Sequence, residues 1–150
     1  MAHPKIVETE DQLEVIVRSA KSVAVIGMKG EAEPDVPAFE IPRVVQARGL
    51  RVIPVNPKLE TALGEKAHPS LAAIGGGFDT VNVFRKSEAV PQIADEVLAL
   101  SEAHRPKVVW LQTGIRNDAA AEKLAAAGIT VVQDRCLGVY ASRYLKKPFV

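Results

Sequence analysis

Five short apolar runs, rich in β-branched residues and separated by stretches carrying helix signals, constrain the fold of this chain more than any other feature. They are Ser22–Gly27 (Ser-Val-Ala-Val-Ile-Gly), Leu50–Val55, Thr80–Phe84, Lys107–Leu111 and Ile129–Gln133. Each is continuous rather than alternating, as expected of parallel strands covered on both faces. Between them lie Val44-Val45 closed by Gly49, Ser87–Leu100 opened by Ser87 as N-cap, and Asn117–Ala127 closed by Gly128. Pro42 and Pro91 are expected early in their segments, where a missing N–H is tolerated. A leading helix over about residues 9–20 is signalled by the capping box Thr9-Glu10-Asp11-Gln12, followed by Leu13, Ile16, Val17 and Ala20. The alternation predicts an α/β chain with a doubly wound parallel sheet of about five strands in three α/β/α layers. No composition shift, linker or repeat divides it, so residues 1–150 are expected to form one domain.

At 150 residues such a domain buries roughly 68–70% of its unfolded surface and needs no staple. A single cysteine, Cys136, excludes an intrachain disulfide and a cysteine-rich zinc site, and fits a reducing, cytoplasmic setting. No stretch has the apolar length of a membrane span. With 19 Lys and Arg against 18 Asp and Glu the net charge is +1, which removes the usual argument for a nucleic-acid surface, and Lys146-Lys147 is too short to restore it.

In an open parallel sheet, ligands bind at the carboxyl ends of the strands. Here those ends read Gly27-Met28-Lys29-Gly30, Asn56-Pro57-Lys58, Phe84-Arg85-Lys86, Gln112-Thr113-Gly114-Ile115-Arg116 and Asp134-Arg135-Cys136. Every end carries a cation, namely Lys29, Lys58, Arg85 with Lys86, Arg116 and Arg135, which predicts a local positive edge suited to a polyanionic small molecule. Gly27 would let backbone approach a pyrophosphate, although the segment is not Gly-x-Gly-x-x-Gly. Gly75-Gly76-Gly77 follows a short helical turn over Ser70–Ile74 and precedes a strand, so it is expected to be a surface turn. The second strand end argues against NAD, because Asn56 and Lys58 stand where an acid would hold the ribose hydroxyls. An amide with a cation suits a phosphorylated ribose, as in NADP or coenzyme A.

Taken in order, Val23–Gly27, Val52–Lys58 (Val-Ile-Pro-Val-Asn-Pro-Lys), Val81–Arg85 (Val-Asn-Val-Phe-Arg), Val109–Ile115 (Val-Trp-Leu-Gln-Thr-Gly-Ile) and Asp134–Cys136 resemble the stand-alone CoA-binding protein family. That family is similar to the N-terminal CoA-binding domain of the succinyl-CoA synthetase α subunit. The resemblance spans about residues 13–145 and implies a Rossmann-like fold with coenzyme A as ligand. It implies that Gly27, Met28 and Lys29 lie near the pyrophosphate, with Asn56, Pro57 and Lys58 near the adenosine and its 3′-phosphate. Val83, Phe84 and Arg85, with Gln112, Gly114 and Ile115, would line the ligand along the sheet edge. Many relatives carry a small or hydroxyl residue where this chain has Met28. The synthetase continues into a ligase domain holding a phosphorylated histidine, a role expected of none of His3, His68 and His104 here.

His3, His68 and His104 each fall in loop context, and no catalytic triad or metal-ligand spacing assembles from the sequence. Cys136 either packs beneath the ligand or approaches the pantetheine thiol. The expectation is therefore binding of coenzyme A or a short acyl-CoA without catalysis, alone or for a partner enzyme, with the homo-oligomeric state open. An NADP-dependent oxidoreductase and a regulatory subunit with a vestigial site are the alternatives.

Overall fold

A computed structural model of the chain describes residues 3–146; Lys147, half of the C-terminal lysine pair, lies outside them. The five runs form β1 (Ser22–Ile26), β2 (Arg51–Val55), β3 (Thr80–Val83), β4 (Val108–Leu111) and β5 (Thr130–Val132). All pair in parallel, in the order β2-β1-β3-β4-β5. A single parallel bridge joins Val55 to His68 on the outer side of β2. Counted as a third strand reduced to one residue, it completes the Rossmann order 3-2-1-4-5-6. A two-residue hairpin, Thr61–Ala62 with Glu65–Lys66, lies just before it.

Helices cover both faces, which explains the unbroken apolar strands. On one face α3 (Leu71–Ile74), α4 (Val90–Ala99) and α5 (Asp118–Ala126) pack on Ala24, Ile26, Ile53, Val55, Val81, Val83, Val109, Leu111 and Val131. On the other, α1 (Glu10–Ser19), α2 (Pro37–Ala47) and α6 (Leu137–Tyr144) pack on Val23, Val25, Val52, Trp110 and Val132. Full burial of each large apolar side chain stabilises the fold by about 1.5–3 kcal/mol. None of the helices described is long and apolar enough to cross a membrane.

Two local expectations are corrected. Helix α2 starts at Pro37, so Pro42 lies inside it rather than at its beginning. Without an N–H, Pro42 leaves the Ala38 carbonyl unpaired within the helix, and that oxygen accepts the Lys29 N–H at 3.1 Å. The helix defect thereby holds the turn after β1. Ser87 does not cap α4, which begins at Val90 after a 3₁₀ turn over Ser87–Ala89. Its hydroxyl instead accepts the Arg116 N–H at 3.0 Å and reaches the Gly114 carbonyl at 3.5 Å, tying the loop after β3 to the loop after β4. Gly75-Gly76-Gly77 forms a turn ahead of β3, at the amino edge, with the His104 ring close against Gly76.

The Thr9 capping box closes the start of α1. From its first turn, Glu10 accepts hydrogen bonds from Tyr144 and from Arg143 at 3.0 Å, clamping α1 to the end of α6. The Tyr144 hydroxyl, followed by the Arg143 guanidinium, holds the Glu10 carboxyl below its ordinary value of 4.5. A carboxyl depressed in the folded state stabilises it above the unfolded value, and that contribution is lost as pH falls through the folded value. Glu10→Gln is therefore expected to lower the urea midpoint slightly at pH 7, with the gap between variant and parent narrowing as pH falls below 4.5. A gap that persists unchanged at pH 3 would exclude ionisation of Glu10 as its source.

Candidate functional site

The strand order reverses at β1, with β2 on one side and β3 on the other, so the crevice opens at the carboxyl ends of β1 and β3. Both chains run very close there. Gly27 has φ +81, and a Cβ on it would stand 2.3 Å from the Phe84 carbonyl oxygen. Its N–H donates to the Val55 carbonyl at 3.0 Å, and the Phe84 N–H donates to the Ile26 carbonyl at 2.9 Å. Gly27 is thus required by the passage of the backbone beside it, and its amide is already engaged.

Two hollows flank this point. The larger, about 570 Å³, lies on the α2 side and is lined by Lys29, Glu33, Val36, Pro37, Ala38, Ile41, Phe84, Arg85, Lys86, Gln112, Thr113 and Ile115. The smaller, about 240 Å³, lies on the α4 side between Ile26, Val55, Pro57, Pro69, Arg85, Ala89, Gln92, Ile93 and Glu96. Arg85 belongs to both, with its Nε 3.3 Å from the position a Gly27 Cβ would take. A hollow of about 720 Å³ at the amino edge, around Lys5, Arg105, Lys107 and Thr130, is larger. It gathers no strand carboxyl end, and the Arg105 guanidinium is spent on the Leu98 and Leu100 carbonyls.

Of the residues expected at the site, Lys29, Phe84, Arg85, Gln112 and Ile115 line the larger cleft and Pro57 the smaller hollow. Lys58 is exposed beside Pro57. Met28 and Val83 do not face the cleft: both are fully buried, Met28 in the α2-side core and Val83 in the α4-side core. Asn56 is a brace. Its Nδ2 donates to the Met28 carbonyl at 2.9 Å and its Oδ1 accepts the Lys58 N–H at 2.9 Å, so it locks the ends of β1 and β2 together. Gly114, with φ +83, shapes the turn between Thr113 and Ile115, and its N–H donates to Asp134 Oδ1 at 2.6 Å. Cys136 is half-buried at the start of α6; its Sγ lies 3.7 Å from the point where a Gly138 Cβ would stand, with Ile41 of the cleft wall 3.1 Å from the same point.

The predicted convergence of cations holds only in part. Lys29, Arg85 and Lys86 reach the cleft, where Lys29 sits 3.7 Å from Glu33. Arg116 pairs with Asp118 at 3.1 Å. Arg135 turns away to the Glu8 carbonyl at 3.0 Å and the Tyr140 hydroxyl at 3.3 Å. These two line a separate hollow with Gln133 and Asp134. No histidine lines either side of the crevice: His3 accepts from the Lys5 N–H, His68 pairs beside β2 and His104 packs on Gly76.

The sequence reading missed the wall made by Glu33, Val36, Pro37, Ala38 and Ile41. Val36-Pro37 carried the available signal, because proline is favoured at the first helical position and so marks where α2 begins.

The family model described as the CoA binding domain matches residues 21–142, from the start of β1 to within α6. The chain belongs to the CoA-binding domain family. Among its relatives, the YneT protein of Bacillus subtilis (strain 168), itself uncharacterized, is 39% identical over 128 residues, covering 85% of this chain and 90% of that one. The structure of cell-free ID.343 from Thermus thermophilus superposes with a TM-score of 0.82 at 38% identity, over 92% of this chain and 100% of that one. A hypothetical protein from Pyrococcus horikoshii OT3 gives a TM-score of 0.80 at 27% identity, over 96% of each chain. In this CoA-binding domain the Gln-Thr-Gly-Ile and Asp-Arg-Cys segments have a visible physical link, since Asp134 holds Gly114 and the Asp134 N–H donates to the Ile115 carbonyl at 3.1 Å.

Proposed function

We propose that this protein binds coenzyme A astride the crevice, with its pantetheine arm in the larger cleft and its adenosine in the smaller hollow. The observation carrying this reading is Arg85, a cation common to the larger, mostly apolar cleft and the smaller hollow of mixed polarity, and seated over the glycine between them. Along coenzyme A the chemistry runs in the same order, from an arm of low polarity through a diphosphate to a purine. Arg85 and Lys29 would meet the diphosphate as charge-assisted donors. Val36, Pro37, Ile41, Phe84 and Ile115 offer the arm an apolar wall, and Pro57, Pro69 and Ile93 offer the purine a second, beside the Gln92 amide. Lys58, exposed next to Pro57, would meet the 3′-phosphate. Among the described residues no serine, cysteine or histidine lines the larger cleft, and we favour binding for storage, sensing or presentation to a partner enzyme over turnover.

Calorimetric titration tests this with CoA, dephospho-CoA and NADPH. CoA is expected to bind most tightly, and Lys58→Ala is expected to reduce the preference for CoA over dephospho-CoA. Tighter binding of NADPH would favour the oxidoreductase reading, and no heat with millimolar CoA would reject the proposal.

A further inference from the structure

Gln112 closes the floor of the larger cleft, and its amide orientation is fixed by chemistry. Its oxygen accepts the Leu137 backbone N–H at 2.9 Å, a partner that can only donate. The Asn82 atom 3.2 Å from the same oxygen must therefore be Nδ2, which agrees with its 3.2 Å bond to the Trp110 carbonyl. Both acceptor positions of Gln112 Oε1 are then filled. Gln112 is only 4% exposed and lines the cleft, and its Nε2 has no partner among the described residues. Asn82, 1% exposed, keeps its own Oδ1 unpaired in this arrangement. A buried acceptor is left unsatisfied while Nδ2 holds Gln112 in place.

We infer that Gln112 Nε2 is a fixed, donor-only group that selects a carbonyl oxygen on the thiol arm of the ligand, and that Asn82 is its positioning residue. This rests on the coenzyme A reading above. The carbonyl is either an amide of the pantetheine arm or the thioester of an acyl-CoA. A free thiol alone would satisfy the donor poorly, because sulfur is a weak acceptor.

The test is calorimetry on the full chain with CoA, acetyl-CoA, the thioether S-ethyl-CoA and adenosine 3′,5′-bisphosphate, which lacks the arm. Gln112→Glu keeps an oxygen for Leu137 and removes the donor; Gln112→Met removes the donor without adding charge. Loss of one such bond is expected to weaken binding about tenfold. If an arm amide is read, both variants lose affinity for all three arm-bearing ligands. If the thioester is read, the loss falls on acetyl-CoA alone. Bisphosphate binding stays unchanged in either case. Asn82→Leu is expected to give a smaller loss confined to the same ligands, a selectivity that general loosening of the fold would not produce. Unchanged affinities in both Gln112 variants, or equal losses that include the bisphosphate, would overturn the inference while leaving coenzyme A binding standing. Failure of the parent protein to bind either CoA or the bisphosphate would instead remove the reading beneath it.

Discussion

Alanine in place of Gly27 is expected to destabilise the protein by about 3 kcal/mol or more and to abolish ligand binding. At φ +81 an added Cβ costs about 1–2 kcal/mol before any contact is considered. The contact is worse, because the Cβ would meet the Phe84 carbonyl oxygen at 2.3 Å and its carbon at 3.1 Å. Those atoms are backbone, pinned by the Phe84 N–H bond to Ile26 at 2.9 Å, so they cannot swing aside as a side chain would. Relief requires parting β1 from β3, which opens the sheet at the crevice itself. Gly30→Ala is the control: without positive φ, its Cβ meets the flexible end of Leu59 at 3.1 Å and the Thr61 carbonyl oxygen at an ordinary 3.8 Å. Urea unfolding of the two variants beside the parent checks the expectation. A Gly27→Ala midpoint matching that of Gly30→Ala would show that the close passage is not maintained in solution.

The legible part of the fold and the illegible part have distinct physical origins. Val23–Ile26, Val52–Val55 and Val108–Leu111 stand out because a strand buried on both faces must be apolar at every position, and few local alternatives give that pattern. Asn82 breaks the pattern at the centre of β3, and its buried amide does work that only three dimensions reveal, holding Gln112 thirty residues on. The cleft wall was hidden for a related reason. Residues 28–36 have no periodicity, and Pro42 suggested a helix starting later than it does, whereas the helix tolerates Pro42 because Lys29 takes up the freed carbonyl.

Charge was legible as composition and misleading as geometry. A cation next to a strand end is placed by the sequence to within a few residues, but a long side chain reaches several ångströms in any direction its neighbours allow. Arg116 and Arg135 found partners on their own loops and on the α1 entry, while Arg85 did not. Likewise Asn56 and Asp134 sit at strand ends for bracing, each holding a neighbouring turn through backbone N–H groups. A polar residue near a ligand edge can thus serve the loop it orders rather than the ligand.

Arg85→Ala is expected to weaken coenzyme A binding roughly 10- to 150-fold, the range for removing a hydrogen bond to a charged group. Arg85 is exposed and makes no ion pair among the described residues, so its charge is free for a ligand, unlike that of Lys29 beside Glu33. Its loss should leave the urea midpoint close to that of the parent, because no part of the fold leans on the guanidinium. Arg135→Ala should behave in the opposite way, with reduced stability and CoA affinity nearly intact, since that side chain joins the α6 and α1 segments. Arg85→Lys keeps the charge and loses the planar fork, so an intermediate affinity is expected if the diphosphate is gripped by paired donors. Isothermal titration at two salt concentrations separates these terms: binding by the parent should fall as salt rises, and the Arg85→Ala variant should show a shallower dependence. Equal CoA affinity and equal salt dependence in parent and Arg85→Ala would mean that the diphosphate does not cross the crest over Gly27, and the ligand would have to lie within one hollow.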